Sequence, residues 1–341
     1  MAIGWRFISC ETIPYPSEWY QVLKEAPNLT GHQLNLLDNR FGSFVGRLAA
    51  EFCSKTGQTP ELIGWHGHTV FHDPEQKSTC QIGHGGALAA IARIPVINQF
   101  RQIDLSLGGQ GAPLAPLADK LLLDEADFYI NLGGISNISF ADSGGALRSF
   151  DICPCNQILN RLANETGHEY DDEGKLAAQG TVKDKLLNTL NELSYYQLQP
   201  PKSIDNNWVM QSVWPIVDIA DGSINDKLST FTNHIAWQIA QVIIDNHTNY
   251  NQTARIMITG GGAFNRYLIQ LLHQNLKRIN HEIILPSAQL IQFKEAALMG
   301  LMAYLFIKGL ENVFCEATGS SEDHIGGCLF QAPGNPKIIY A

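Results

Sequence analysis

The stretch "DFYINLGGISNISFAD", residues 127–142, holds two short apolar runs joined across Gly133-Gly134. Runs of this length, rich in Phe, Tyr and Ile and separated by paired glycines, predict two antiparallel strands around a tight turn. The glycines either supply φ > 0 and let backbone N–H groups approach a ligand or form a plain β-turn. "LRSFD" (147–151) adds a third strand. Toward the C-terminus the pattern predicts helices over about 156–166 and 183–194 and a long helix through "IAWQIAQVIIDNH". A buried strand, "ARIMITGGG", a strand "HEIILP" and a closing helix "QFKEAALMGLMAYLFI" follow. Three strands, then helix, strand, helix, strand is an α/β arrangement with helices on the faces of one sheet.

Toward the N-terminus the same alternation appears in shorter form. "WRFISCETIPY" reads as extended, with helices at about 16–26 and 31–56. A strand "ELIGWHG", a polar piece "TCQIGHGG", a helix "ALAAIARI" and a strand "IPVINQF" come next. The turn-rich "DLSLGGQGAPLAPLADK" (104–120) is the natural hinge. With 341 residues the chain is long enough for two cores, and the repeat is of a whole domain.

Composition narrows the function. At 45% hydrophobic and 16% charged residues the chain is that of a soluble globular protein. A net charge of −10 with no Lys/Arg run points away from nucleic acid and from anionic membrane surfaces. No window reads as a membrane span of about 18 uninterrupted apolar residues, and no basic leader precedes an apolar run. Seven scattered cysteines suggest reduced thiols and a cytoplasmic location.

"SFDICPCNQILN" (149–160) raises the choice between a thiol site and a carboxylate site. Structural zinc takes Cys pairs two to four residues apart, and redox pairs are C-x-x-C; Cys153 and Cys155 are separated by a single proline. His66 and His68 share a face, but nothing completes a four-ligand set. No metal site is expected, and the cysteines read as packing residues. Asp151, ending a strand beside the glycine hairpin, is the better candidate for chemistry. Gly260, Gly261 and Gly262, between a strand and an amphipathic helix, form a turn that could seat a phosphate. Glu295 stands on a helix apolar on all sides, either as a first-turn acid or as a carboxylate lining a wet cleft.

Taken in order, "WHGHT" (65–69), "QIG" (81–83), "FRQIDLSLGGQGAPL" (100–114) and "NLGGISN" (131–137) resemble the anhydro-N-acetylmuramic acid kinases of bacterial cell-wall recycling. "FDICPCN", "YDDEG", "PPKS", "TGGGAFN", "KEAALMGLMAYL" and "NVFCEATGS" extend that resemblance over nearly the whole chain. The resemblance implies two ribonuclease-H-like, actin-like ATPase lobes around a central cleft. Residues 1–122 with 308–341 would form one lobe and residues 123–307 the other. It implies ATP and Mg²⁺, hydrolytic opening of a 1,6-anhydro sugar, and phosphorylation of the freed O6. Asp151 would be the general base, with Asp104 as the other carboxylate able to hold that role, and Glu295 a second acid of the site. Gly133, Gly134 and Gly260 to Gly262 would meet the nucleotide. His66, Arg101, Asp104, Gln110, Asn137 and Asn156 would meet the sugar. Members are often homodimers.

The chain departs from the family pattern at three places, one of them "PPKSIDNN" (200–207), which lacks the Thr-Gly that usually follows Lys-Ser. The common Asp-Thr-Gly-Pro-Gly-Asn is here Asp151-Ile152-Cys153-Pro154-Cys155-Asn156. The Gly-Thr-Ser-x-Asp-Gly hairpin with which members open is absent from the first lobe. The expectation is a start short of the true one; the rival is a catalytically impaired, sugar-binding member of the family.

Overall fold

The computed structural model describes residues 4–200, 202–247 and 251–334. Ten strands are described in chain order: β1 (Ile63–Gly64), β2 (His68–Asp73), β3 (Ser78–Ile82), β4 (Val96–Asn98), β5 (Phe128–Leu132), β6 (Ile135–Ala141), β7 (Leu147–Pro154), β8 (Ala254–Thr259), β9 (His281–Ile284) and β10 (Cys328–Phe330). Packing divides the chain into unit 1, Met1–Leu123 with Phe293–Ala341, and unit 2, Asp124–Gln292. The second division falls within the helix Ala288–Ile307, whereas the sequence placed it at that helix's end.

Unit 2 carries one five-stranded sheet in the order β7-β6-β5-β8-β9. β6 runs antiparallel to both neighbours, while β5, β8 and β9 are parallel. That order, with the second strand alone reversed, is the one expected of a ribonuclease-H-like lobe. Helices cover the sheet because their apolar residues recur every three to four positions. Helix Ile224–Asn246 buries Leu228, Phe231, Ile235, Ile239 and Ile243, and begins with a capping box between Ser223 and Asp226. Helix Asn156–Asn164 buries Ile158, Leu159 and Leu162 on one face.

Unit 1 has a three-stranded sheet, β1-β4-β10, and a separate hairpin, β2-β3. Helix Gly31–Thr56 starts at a Thr30–Gln33 capping box and stops at Gly57, whose φ of 69° ends the helix in the left-handed conformation. Two expectations fail here. "WRFISCETIPY" forms no strand, because among the described residues nothing pairs with it and a strand exists only through its ladder. The polar piece "TCQIGHGG", given no secondary structure from the sequence, has its first half in β3, paired with β2 across a turn at 74–77.

Helix Ala288–Ile307 is long and apolar enough to cross a membrane by length and composition. It packs Leu298, Met299, Met302 and Leu305 into the unit 1 core, with buried Lys294 3.7 Å from Asp119. The expectation of all-round burial is corrected: Glu295, Ala296 and Gly300 are exposed, and so is Tyr304.

Candidate active site

In unit 2 the strand registers bring polar residues into one row. Asp151 on β7 stands opposite Asn137 on β6, Asn137 opposite Asn131 on β5, and Asn131 opposite Thr259 on β8. Directly paired residues share a sheet face, so the row Asp151–Asn137–Asn131–Thr259 crosses four strands on one face. The register slips by one residue beside it, since Ser136 pairs with Cys153 and Asn137 with Asp151. A bulge at Ile152 thus sets the direction of the strand at the carboxylate. Ser136, fully buried, closes the bulge: its hydroxyl donates to the Cys153 carbonyl at 2.9 Å and accepts from the Cys153 N–H at 3.3 Å.

Asp151 is half-buried, and burial pushes its carboxyl above the usual carboxylate range, against the opposing Ile204 N–H donated to Oδ2 at 2.9 Å. The adjoining thiols have no access to solvent. Burial raises Cys153 to about 12 and Cys155 well above its ordinary value. Both are protonated packing groups.

The glycine hairpin is built differently from the expectation. Neither Gly133 nor Gly134 has positive φ. Their carbonyls instead face the start of helix Asn156–Asn164, accepting from Asn156 N (3.1 Å), Cys155 N (2.8 Å) and Gln157 N (3.1 Å). A trans peptide sends its N–H opposite to its C=O, so the N–H groups of Gly134 and Ile135 point away from that helix. The Asn156 side chain ties the same helix to the Leu132 carbonyl at 2.8 Å.

The second glycine turn lies against this hairpin. Gly260 does take positive φ, 81°, and a Cβ there would meet the Leu132 backbone at 2.7 Å; one at Gly262 would meet Leu132 Cβ at 2.7 Å. Gly261 lies near Asn156. Asn265 caps the following helix, Arg266–Asn275, by accepting from Leu268 N at 2.9 Å. Gly133, Gly134, Asn156 and Gly260 to Gly262 therefore form one assembly at the end of the sheet where the polar row lies.

In unit 1, His66, Arg101, Asp104 and Gln110 gather around the glycine loop 108–111. Arg101 donates to His66 Nε2 from Nε at 3.0 Å and also to the Gly111 carbonyl. His66 Nε2 is therefore unprotonated, and its Nδ1 donates to the Gly67 carbonyl at 3.0 Å. Burial, then the nearby guanidinium, keep the imidazole below its usual pKa. Asp104 is fully buried beneath the loop. It accepts from Gly111 N at 2.6 Å and from the Thr318 hydroxyl at 2.5 Å, with His324 Nε2 at 3.7 Å. Gly109 has no room for a Cβ, which would strike the Asp104 carboxylate. Gln110 exposes its side chain, and its N–H donates to the Thr318 carbonyl at 2.8 Å. Glu295 belongs to unit 1 and is exposed on its helix.

Comparison with known proteins agrees with these motifs. A family profile described as anhydro-N-acetylmuramic acid kinase matches residues 4–332. The chain belongs to this family. Relatives named anhydro-N-acetylmuramic acid kinase include one from Rhodopseudomonas palustris (strain BisB18), 32% identical over 92% of this chain and 89% of the relative. One from Azorhizobium caulinodans is 32% identical over 95% and 91%, and one from Methylorubrum populi 34% over 82% and 74%. Among solved structures, the activator of the 2-hydroxyisocaproyl-CoA dehydratase from Clostridium difficile with bound ADPNP aligns at 16% identity and TM-score 0.33, over 53% of this chain and 61% of that one.

Several residues of these two groups, one in each unit, were not singled out in the sequence. Asn131 and Thr259 complete the polar row, Ser136 closes the bulge, and Thr318 and His324 flank Asp104. For Asn131 a signal existed: it alternates with buried Ile130 and Leu132, which places it on the other face. Thr318 and His324 lie more than 200 residues from Asp104 in the chain, and no local pattern links them.

Proposed function

We propose that this chain is an ATP-dependent anhydro-N-acetylmuramic acid kinase, with Asp151 as its general base. The observation that carries the assignment of the base is the setting of Asp151. It stands at a strand bulge in a row of polar residues, beside the glycine hairpin, with one oxygen held by Ile204 N–H. Asp104 suits the role less well, because it is fully buried and both its oxygens are already engaged.

In the proposed reaction Asp151 takes a proton from water as the water oxygen bonds to the anomeric carbon. The bond from that carbon to O6 breaks, and O6 bonds to the γ-phosphorus as the bond to the ADP oxygen breaks. The products are N-acetylmuramate 6-phosphate and ADP. A base whose pKa is raised toward working pH takes a proton more effectively while remaining ionised. The N–H groups of Gly134 and Ile135 and the turn at Gly260 to Gly262 suit phosphate oxygens, since exposed backbone donors bind anions. The loop 108–111, with His66, Arg101 and Gln110, would meet the sugar, and Glu295 and Asn137 are further polar candidates. Among the described residues no group of three or more His, Cys, Asp or Glu is placed to hold a metal ion. Mg²⁺ carried with the nucleotide would neutralise charge on the phosphates. A small-molecule sugar substrate is consistent with a cytoplasmic enzyme; a homodimer remains an expectation from the family.

The test is turnover of the anhydrosugar with ATP by the wild-type protein and by Asp151→Asn. The variant should bind ATP and lose turnover by on the order of 10³-fold, the scale of a lost general base. Binding of the sugar without any ATP-dependent product in the wild type would instead support the impaired, sugar-binding reading.

A further inference from the structure

The segment Lys202–Ile204 runs beside β7, and its contacts converge on Asp151. The Lys202 carbonyl accepts from Asp151 N at 3.2 Å, and Ile204 N donates to Asp151 Oδ2 at 2.9 Å. A third contact comes from Tyr195, in the turn Ser194–Gln197, whose hydroxyl donates to the Asp151 carbonyl at 2.7 Å. Tyr195 also holds the segment itself. Its ring lies 4.8 Å under the Lys202 ammonium, and its carbonyl accepts from Lys202 Nζ at 3.5 Å. The Tyr195 side chain is buried. The main-chain N–H and C=O of Asp151 and one carboxylate oxygen are thus fixed from this one stretch. Among the described residues, Oδ1 accepts no hydrogen bond.

We infer that Tyr195 and the segment Lys202–Ile204 form a clamp that orients the base, leaving Asp151 Oδ1 as the oxygen that receives the proton. Tyr195 is then a positioning residue that acts through Asp151. This rests on the reading of Asp151 as general base. An oxygen already accepting a backbone N–H is the poorer proton acceptor, and a base must be held in the productive geometry to be effective. The titratable neighbours of Asp151 are Tyr195, Cys153 and Lys202. Burial raises the first two, so both stay neutral, and Lys202, lowered by burial, is the one cation of the clamp.

The experiment compares wild type, Tyr195→Phe, Lys202→Met and Asp151→Asn, using ATP and anhydro-N-acetylmuramic acid over a range of pH. Tyr195→Phe keeps the ring over Lys202 and removes only the hydroxyl. It should lower kcat on the order of 10-fold, about what one hydrogen bond to a catalytic group supports, with KM for ATP unchanged. Freeing the Asp151 carbonyl lets the carboxylate move off the Ile204 N–H, which removes support for the ionised form, so the acid limb of the kcat profile should also move to higher pH. A residue that only stabilises the fold would leave that limb in place. Tyr195→Phe with wild-type kcat and an unmoved acid limb overturns the clamp. If that variant gives no cooperative melt, Lys202→Met carries the same test, with the same shift supporting the clamp and its absence overturning it. Should Asp151→Asn itself turn over at the wild-type rate, the base assignment fails; an inactive Asp151→Asn beside a fully active Tyr195→Phe sinks the clamp alone.

Discussion

Asp151 is held in a setting that disfavours its own charge. Its folded pKa lies above the unfolded value, so the native state binds the proton more tightly than the unfolded chain. The stability this confers is complete below the unfolded carboxylate pKa and is lost as pH rises through the raised folded value. At pH 8 the ionised side chain therefore costs stability that Asn at the same position would not, and Asn keeps an acceptor for Ile204 N–H. Asp151→Asn is expected to melt at a higher temperature than wild type at pH 8, with the gap narrowing toward pH 4; calorimetry at both values checks this. A residue that destabilises the fold while serving chemistry is a common signature of an active site. The neighbouring thiols behave oppositely. Cys153→Ser and Cys155→Ser place a hydroxyl in a fully buried site, at a cost of about 1–3 kcal/mol when unpaired. Chemical denaturation should register that loss, while kcat of the folded fraction stays near wild type.

At the scale of elements, two glycine turns and one bulge assemble the unit 2 site. Gly260 combines positive φ with a close approach to the Leu132 backbone. Gly260→Ala should cost about 2 kcal/mol or more from the backbone alone, because φ 81° with ψ 169° is a conformation essentially restricted to glycine. The readout is a shifted denaturation midpoint together with a raised KM for ATP. Much of this architecture was legible. Strands β5, β6 and β7 follow from apolar runs split by Gly133-Gly134, and the helix Gly31–Thr56 and the second half of Ile224–Asn246 from their apolar residues. What was not legible depends on partners distant in sequence. Strand β2 lies largely exposed, so its residues show little apolar alternation. "WRFISCETIPY" has strand-like composition, but its state is set by pairing, which composition does not encode. The carbonyl-first docking of Gly133 and Gly134 on helix Asn156–Asn164 arises from tertiary packing, so the positive φ expected from Gly-Gly did not appear.

On the scale of the molecule, each unit has its own core. Unit 2 packs its sheet and helices around residues such as Ile130, Ile138, Leu162, Phe231 and Ile258, all drawn from 124–292. Residues 124–292 expressed alone should give a single cooperative melt; a noncooperative transition would show that this core is incomplete. The ordered motif series read in the sequence falls throughout within the family match over residues 4–332. The most direct test of the central claim is product formation from anhydro-N-acetylmuramic acid and ATP, followed by phosphorus NMR, for the wild type beside Asp151→Asn. The wild type should give one ADP per N-acetylmuramate 6-phosphate, and the variant should form both on the order of 10³-fold more slowly. Equal rates from the two proteins, or no sugar phosphate from the wild type, would contradict that claim.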